Sequence, residues 1–230
     1  MPSGTLYLVA TPIGNYDDIT LRALNILKSA DIIICEEYKE ARRLLSRYEI
    51  SPKELLSINE HNEKQDAQEI ALSILQGQNA ALISDCGTPL FSDPGHVLVD
   101  YCISMNISVV PVPGASSLLT ALTGSGMDFE KFYHYGWLSP KKDERKKELL
   151  KLKTIHEVII LMDTPYRLKS LLADVELAFG KGTDVVLAYQ LTMPGENFYR
   201  GKIKDVLKTA NDKNLKGEFV LIVDNKKSRR

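Results

Sequence analysis

The chain has 230 residues, 44% of them hydrophobic and 26% charged, with a formal charge of −1. That mixture supports a packed core and excludes a disordered chain. The near-zero charge excludes a protein that coats nucleic acid through bulk basicity, while leaving room for a local basic patch.

The segment Met1 to Val9 lacks the basic start and long apolar core of a secretory leader, and no apolar run reaches the roughly 20 residues of a membrane helix. Cys35, Cys86 and Cys102 are odd in number and widely spaced, so they read as buried, reduced thiols of a cytoplasmic protein. No cysteine or histidine spacing suits zinc, and no metal site is expected.

The first half alternates strands and helices. Leu6 to Ala10 is a short strand that ends in the turn Thr11-Pro-Ile-Gly-Asn15. Asp17 or Asp18 is the expected cap of a helix carrying Leu21, Leu24, Ile26 and Leu27. Strands follow at Asp31–Cys35, Leu55–Ile58, Ala80–Ser84 and Val109–Val112. Helices are predicted between them, over Lys39–Arg47, over Asn62–Leu75, and after Asp93-Pro94-Gly95, with Asp93 as cap. Continuous apolar strands separated by helices imply a parallel sheet buried on both faces.

The second half has strands at Phe132–Leu138, Val158–Met162, Val185–Ala188, Phe198–Gly201 and Phe219–Val223. A basic helix is predicted over Lys141–Lys153, and another opens at Thr164-Pro165. Some strands follow each other directly, which implies a mixed sheet. The expected domains are 1–115, a parallel α/β unit, and 116–230, a mixed α/β unit. Lys226 to Arg230 reads as a frayed tail, with nucleic-acid contact as the alternative.

In open parallel sheets, ligands bind beyond the carboxyl ends of the strands. Three strand ends carry unusual turn chemistry: Thr11 to Asn15, Asp85 to Gly95, and Pro111 to Ser117. Their glycines and prolines suit a pocket held by stiff loops. No phosphate-cradling glycine motif completes itself, and no nucleophile elbow is present.

The stretches Leu6-Tyr-Leu-Val-Ala-Thr-Pro-Ile-Gly-Asn15, Ile19-Thr-Leu-Arg-Ala-Leu24, His61-Asn-Glu63 and Ser84-Asp-Cys-Gly-Thr-Pro-Leu90 are distinctive. So are Ser92-Asp-Pro-Gly95, Val110-Pro-Val-Pro-Gly114, Gly136-Trp-Leu138 and Lys216-Gly-Glu-Phe-Val-Leu-Ile-Val223. With them the chain resembles the tetrapyrrole-methylase superfamily, and within it the bacterial 16S ribosomal RNA (cytidine) ribose 2′-O-methyltransferase subfamily. The resemblance spans nearly the whole chain. It implies two α/β domains, S-adenosylmethionine bound in a cleft between them, and a homodimer.

Carried over by position, the resemblance implies cofactor contacts at Pro12, Ile13, Gly87, Thr88, Pro89, Leu90, Phe91, Ser116, Ser117, Met162, Ala188, Tyr189 and Gly217. Glu36 becomes the candidate base or acceptor-positioner, with loop pairing as its alternative. Lys39, His61, Asn62, Glu63, Lys141, Arg145 and Arg167 become candidate substrate contacts. The run Lys141 to Lys147 holds five cations in seven residues beside Trp137, and reads as an RNA grip or as a solvated helix face. The chain departs from the subfamily at Glu36-Glu-Tyr-Lys39, Met162 to Arg167 and Ala188 to Met193. The expected function is methylation of a small-subunit ribosomal RNA ribose. A different acceptor and a non-catalytic cofactor-binding module are the alternatives.

Overall fold

The structure, a computed structural model, describes residues 2–226; Met1 and residues 227–230 of the basic tail lie outside it. The chain divides into two compact units, one ending at Ser116 and the next beginning at Ser117. No helix among the described residues is long and apolar enough to cross a membrane.

The first unit contains β1 (Thr5–Val9), α1 (Leu21–Ser29), β2 (Ile32–Cys35), α2 (Tyr38–Arg47), β3 (Glu54–Ser57), α3 (Glu63–Leu75), β4 (Ala80–Ile83), α4 (His96–Ser104) and β5 (Ser108–Val112). Its five strands are all parallel, in the order β3-β2-β4-β1-β5. Every residue of β2 and β4 is buried, because helices cover both faces of the sheet. Ile33, Ala81 and Val9 pack with Leu27, Leu44 and Leu45 of α1 and α2. Leu6, Ile34 and Leu82 pack with Ile70, Ile74 and Leu98 of α3 and α4. The parallel arrangement brings all five carboxyl ends to one edge.

Two expected helix caps are corrected. Asp17 and Asp18 lie in a 3-10 turn capped by Asn15, whose side chain accepts from the Asp17 amide at 3.0 Å. Thr20 caps α1 instead, accepting from the Ala23 amide at 3.1 Å. Asp93 does not cap α4. Gly95 occupies the cap position with φ 124°, so the helix begins after Pro94, and Glu63 of α3 receives its first donors. Cys35 and Cys102 are buried as expected, and burial pushes their thiols up to about 12 and about 11. Cys86 is exposed, because β4 stops at Ile83 and the chain has already turned into a loop.

The second unit contains α5 (Ser117–Ser125), β6 (Phe132–Trp137), α6 (Lys142–Leu152), β7 (Val158–Met162), α7 (Leu168–Phe179), β8 (Asp184–Tyr189), β9 (Asn197–Lys202), α8 (Ile203–Asp212) and β10 (Phe219–Asp224). The sheet order is β6-β7-β10-β8-β9. Only β6 and β7 are parallel; the other pairs are antiparallel. Leu161, Leu187 and Leu221 face α6, α7 and α8 through Leu149, Leu172 and Val206. The opposite face packs on α5. The sequence reading gave neither α5 nor α8 an explicit place. The α5 segment ends in Gly124-Ser125 before Gly126, which reads as a turn, and α8 follows β9 without a turn signal.

Candidate active site

At the carboxyl edge of the first sheet, the loops after β1, β4 and β5 are fastened to one another. The Thr11 amide donates to the Gly87 carbonyl at 2.8 Å. The buried Thr11 hydroxyl donates to the Ser84 carbonyl at 3.0 Å and accepts from the Gly87 amide at 3.2 Å. Thr88 Oγ1 donates to the Ala115 carbonyl at 3.3 Å. Gly87 has φ +89°, and a Cβ there would stand 3.1 Å from Ile13 Cγ2. A Cβ on Gly114 would stand 2.9 Å from the Ala10 Cβ. Both glycines therefore permit backbone approaches that other residues would block.

Of the expected cofactor residues in this unit, Pro12, Ile13, Gly87 and Pro89 are buried in these loops, and Leu90 and Ser116 are half-buried. Thr88 and Phe91 are exposed. Leu90 adopts φ 68°, a left-handed conformation that costs a leucine about 1–3 kcal/mol and persists only where its surroundings enforce it. The fastened loops form a rigid rim of apolar side chains and backbone groups, which suits an uncharged adenosine better than a phosphate chain.

Beside that rim lies an acidic group. Glu36 follows β2, and Asp85 follows the adjacent β4. Burial raises the Glu36 carboxyl above its usual range, and Asp85, Asp93, Glu37 and Glu60 raise it further. Burial likewise raises Asp85, opposed by the Glu37 amide that donates to it at 3.4 Å. Sequence reasoning did not single out Asp85. It stands two residues past β4 as Glu37 stands two past β2, and only the strand register makes them neighbours. Among the described residues no group of three or more His, Cys, Asp or Glu is arranged to hold a metal ion.

Two of the expected substrate residues here do structural work. Glu63 Oε1 accepts from the Gly95 amide at 2.7 Å and the Val97 amide at 2.8 Å, closing the first turn of α4. Asn62 accepts from the Asn59 amide at 2.7 Å and donates to the Ser57 carbonyl at 2.9 Å, shaping the turn between β3 and α3. His61 and Lys39 are exposed.

In the second unit, Met162, Tyr189 and Gly217 lie at one edge of the sheet, where β7 and β8 end and β10 begins. Ala188 and Met162 register with Val220 on the α5 face. Tyr189 points the other way, into the helix-covered core, where it meets Tyr199 edge-on at 6.1 Å and its hydroxyl accepts from the Lys216 amide at 3.2 Å. Its side chain is thus occupied, and its backbone runs between Asn197 of β9 and Phe219 of β10. A Cβ on Gly217 would stand 2.6 Å from Gln190 Cγ, and Gln190 and Thr192 have φ 48° and 63°. The Gly217 turn and the turn after β8 are therefore closely packed. Ser117 is the first residue of α5.

The expected RNA cations divide by burial. Arg145 is 7% exposed, and its Nε donates to Asp174 Oδ2 at 2.7 Å. Its Nη1 donates to the Ser139 and Pro140 carbonyls at 3.1 and 2.9 Å. Arg167 pairs with the buried Asp163 at 3.1 Å and donates to the Leu138 and Ser139 carbonyls. Both guanidiniums hold the turn after β6, which corrects the expectation that Arg145 grips RNA: an arginine on α6's inner face finds Asp174 of α7. Lys141 stays exposed, in a surface pair with Glu144 at 3.1 Å.

The chain is thus a parallel doubly wound unit followed by a mixed-sheet unit, with fastened glycine-proline loops at the strand ends of the first. The profile of the tetrapyrrole (corrin/porphyrin) methylases matches residues 5–207, and the chain belongs to that family of methyltransferases. It is 41% identical over 221 residues to a ribosomal RNA small subunit methyltransferase I of Bacillus subtilis, covering 96% of this chain and 75% of the relative. It is 37% identical over 227 residues to the protein of that name from Escherichia coli O157:H7, covering 98% and 79%. Among solved structures, a cobalt precorrin-4 methyltransferase of cobalamin biosynthesis superposes with a TM-score of 0.68 at 17% identity, covering 95% of this chain and 94% of the other. A uroporphyrin-III C-methyltransferase from Thermus thermophilus gives 0.65 at 18%, covering 96% and 94%. These likenesses establish the fold.

Proposed function

We propose that this chain methylates a ribose 2′-hydroxyl of small-subunit ribosomal RNA, with S-adenosylmethionine as donor, in the cytoplasm and as a homodimer. The observation that carries the reading is identity of about 40% across nearly the whole chain to methyltransferases named for that RNA. The fastened loops suit the cofactor: Pro12, Ile13, Gly87, Pro89 and Leu90 offer apolar walls and backbone groups, and the glycines let the loops pack closely enough to hold those groups in place. Thr88, Phe91 and Ser116 border the same loops. Met162, Ala188 and the Gly217 turn are the second unit's candidates, with Ser117 at the start of α5.

Bound S-adenosylmethionine supplies an electrophilic methyl group. The chain's own task is to hold a ribose hydroxyl in line and to accept its proton. Glu36 suits that task, because a carboxyl held above its usual range is a better proton acceptor than an ordinary glutamate. Burial raises it, and the neighbouring Asp85 carboxylate adds to the effect. Lys39 and His61, both exposed, are the candidates for contact with the RNA backbone.

The test uses radiolabelled S-adenosylmethionine and small ribosomal subunits from a strain lacking the gene. Label on a ribose of the subunit's RNA, lost in Glu36→Gln with cofactor affinity retained, is the expected result. Label on a different acceptor, or cofactor binding without transfer to any cell fraction, refutes the reading.

A further inference from the structure

Two aromatic side chains at one edge of the second sheet belong to no core. Trp137 ends β6 and is 48% exposed; Tyr166 lies in the 3-10 turn just past β7 and is 97% exposed. The two strands are parallel neighbours, with Trp137 in register with Met162. The turns that carry the rings are tied together, since Arg167, next to Tyr166, donates to the Leu138 and Ser139 carbonyls at 3.1 Å each. Arg145 holds the same turn from inside through the Ser139 and Pro140 carbonyls. The rings are therefore presented from fixed backbone. Lys141 and Lys142 follow at once and are exposed.

Flat aromatic faces beside unburied cations match a nucleic-acid strand with free base faces and a phosphate backbone. A duplex hides its base faces, so it offers these rings nothing to stack on. The exposed Lys141 and Lys142 that follow Trp137 in the chain favour a phosphate-bearing partner over an apolar protein face.

We propose that Trp137 and Tyr166 form a stacking platform for bases of a single-stranded RNA segment, with Lys141 and Lys142 meeting its phosphates. The inference rests on the RNA-methylation reading and specifies the form of RNA recognised. Arg145, which is buried, and Arg167, which is partly exposed, act as positioning residues for the platform.

Trp137 is the chain's only tryptophan, so its emission reports stacking directly. The full chain is titrated with a single-stranded oligoribonucleotide and with the duplex of the same sequence. Saturable quenching by the single strand, with little by the duplex, is expected. Tyr166→Ala weakens single-strand binding about tenfold, and Lys141→Ala and Lys142→Ala each lower the salt slope by about 0.7. Circular dichroism checks folding of each variant; Tyr166, being almost wholly exposed, is removable without touching the core.

RNA bound without a change in Trp137 emission, or bound equally well by Tyr166→Ala, overturns the proposal. So does a Tyr166→Ala chain that turns from dimer to monomer with RNA affinity unchanged, which would make the patch an interface between copies. If small subunits take no label while another acceptor does, the functional reading fails. Quenching by single-stranded RNA then decides the platform separately.

Discussion

Glu63→Ala tests whether a carboxylate from α3 sets the start of α4. In the native fold one oxygen, Glu63 Oε1, receives both the Gly95 and Val97 amides at 2.7 and 2.8 Å. No side chain within α4 replaces it, since Gly95 has none to offer. Loss of a helix cap costs about 0.5–2 kcal/mol, and a negative charge at a helix N-terminus adds about 0.3–1 kcal/mol. The Gly95 amide belongs to a buried residue, which places the total toward the upper end, about 2–3 kcal/mol. Glu63→Gln keeps an acceptor and loses the charge, so about 1 kcal/mol is expected. Urea unfolding gives the two differences, and hydrogen exchange at the α4 amides localises them. The loop between β4 and α4 carries Gly87 to Phe91, so cofactor affinity falls with the cap. If Glu63→Ala unfolds within about 0.5 kcal/mol of wild type, as an ordinary surface change would, the cap is not anchoring the loop and the argument fails.

Other consequences follow from the same geometry. Gly87→Ala forces a side chain onto φ +89° and against Ile13. It is expected to cost about 1–3 kcal/mol and to weaken S-adenosylmethionine binding, read by calorimetry; unchanged affinity would separate this turn from the cofactor. Glu36 has a folded pKa above its unfolded value, so its stabilising contribution is present below the unfolded pKa and is lost as pH rises through the folded one. Glu36→Gln is therefore expected to be more stable than wild type above that range and less active, and a variant less stable at neutral pH would contradict the electrostatic account. Arg145→Ala leaves Asp174 buried without its ion partner and is expected to cost about 3–5 kcal/mol. The double variant Arg145→Met with Asp174→Leu should recover most of that loss in denaturant melts; if the double is as unstable as the single, the pair is not the cause.

The strands were the most legible part. All ten expected strands are present, because short apolar runs such as β2, β4, β7 and β10, and aromatic ones such as β6, carry their own signal between turn residues. Helices with a clear face, such as α3, were equally plain. The α5 helix was not, since its small and apolar residues show no polar face when β8, β9 and β10 cover it. The caps failed where the acceptor came from elsewhere in the chain: Asp93-Pro94 reads locally as a helix start, yet Glu63 supplies the bond from 32 positions away.

The candidate site was legible to the same degree. Glycine and proline after three parallel strands marked the loops, and the chain order alone fixed that they follow strands. That they lie side by side came from the order β4-β1-β5, and that they are fastened came from the Thr11 hydroxyl, which looked like one more turn residue. Charges were the least readable. Arg145 and Lys141 sit in the same basic run, but Arg145 lies within α6 on its buried face, against Asp174, while Lys141 precedes the helix in extended backbone and stays in water.

The sequence by itself determined what depends on neighbours along the chain: the alternation of strand and helix, the turn chemistry and the family motifs. The tertiary structure decided what depends on partners far away in sequence. It assigned Glu63 to a helix end, Arg145 to a buried ion pair and Asp85 to the side of Glu36, because a charge acts through whichever groups the strand register and helix packing bring within a few ångströms of it.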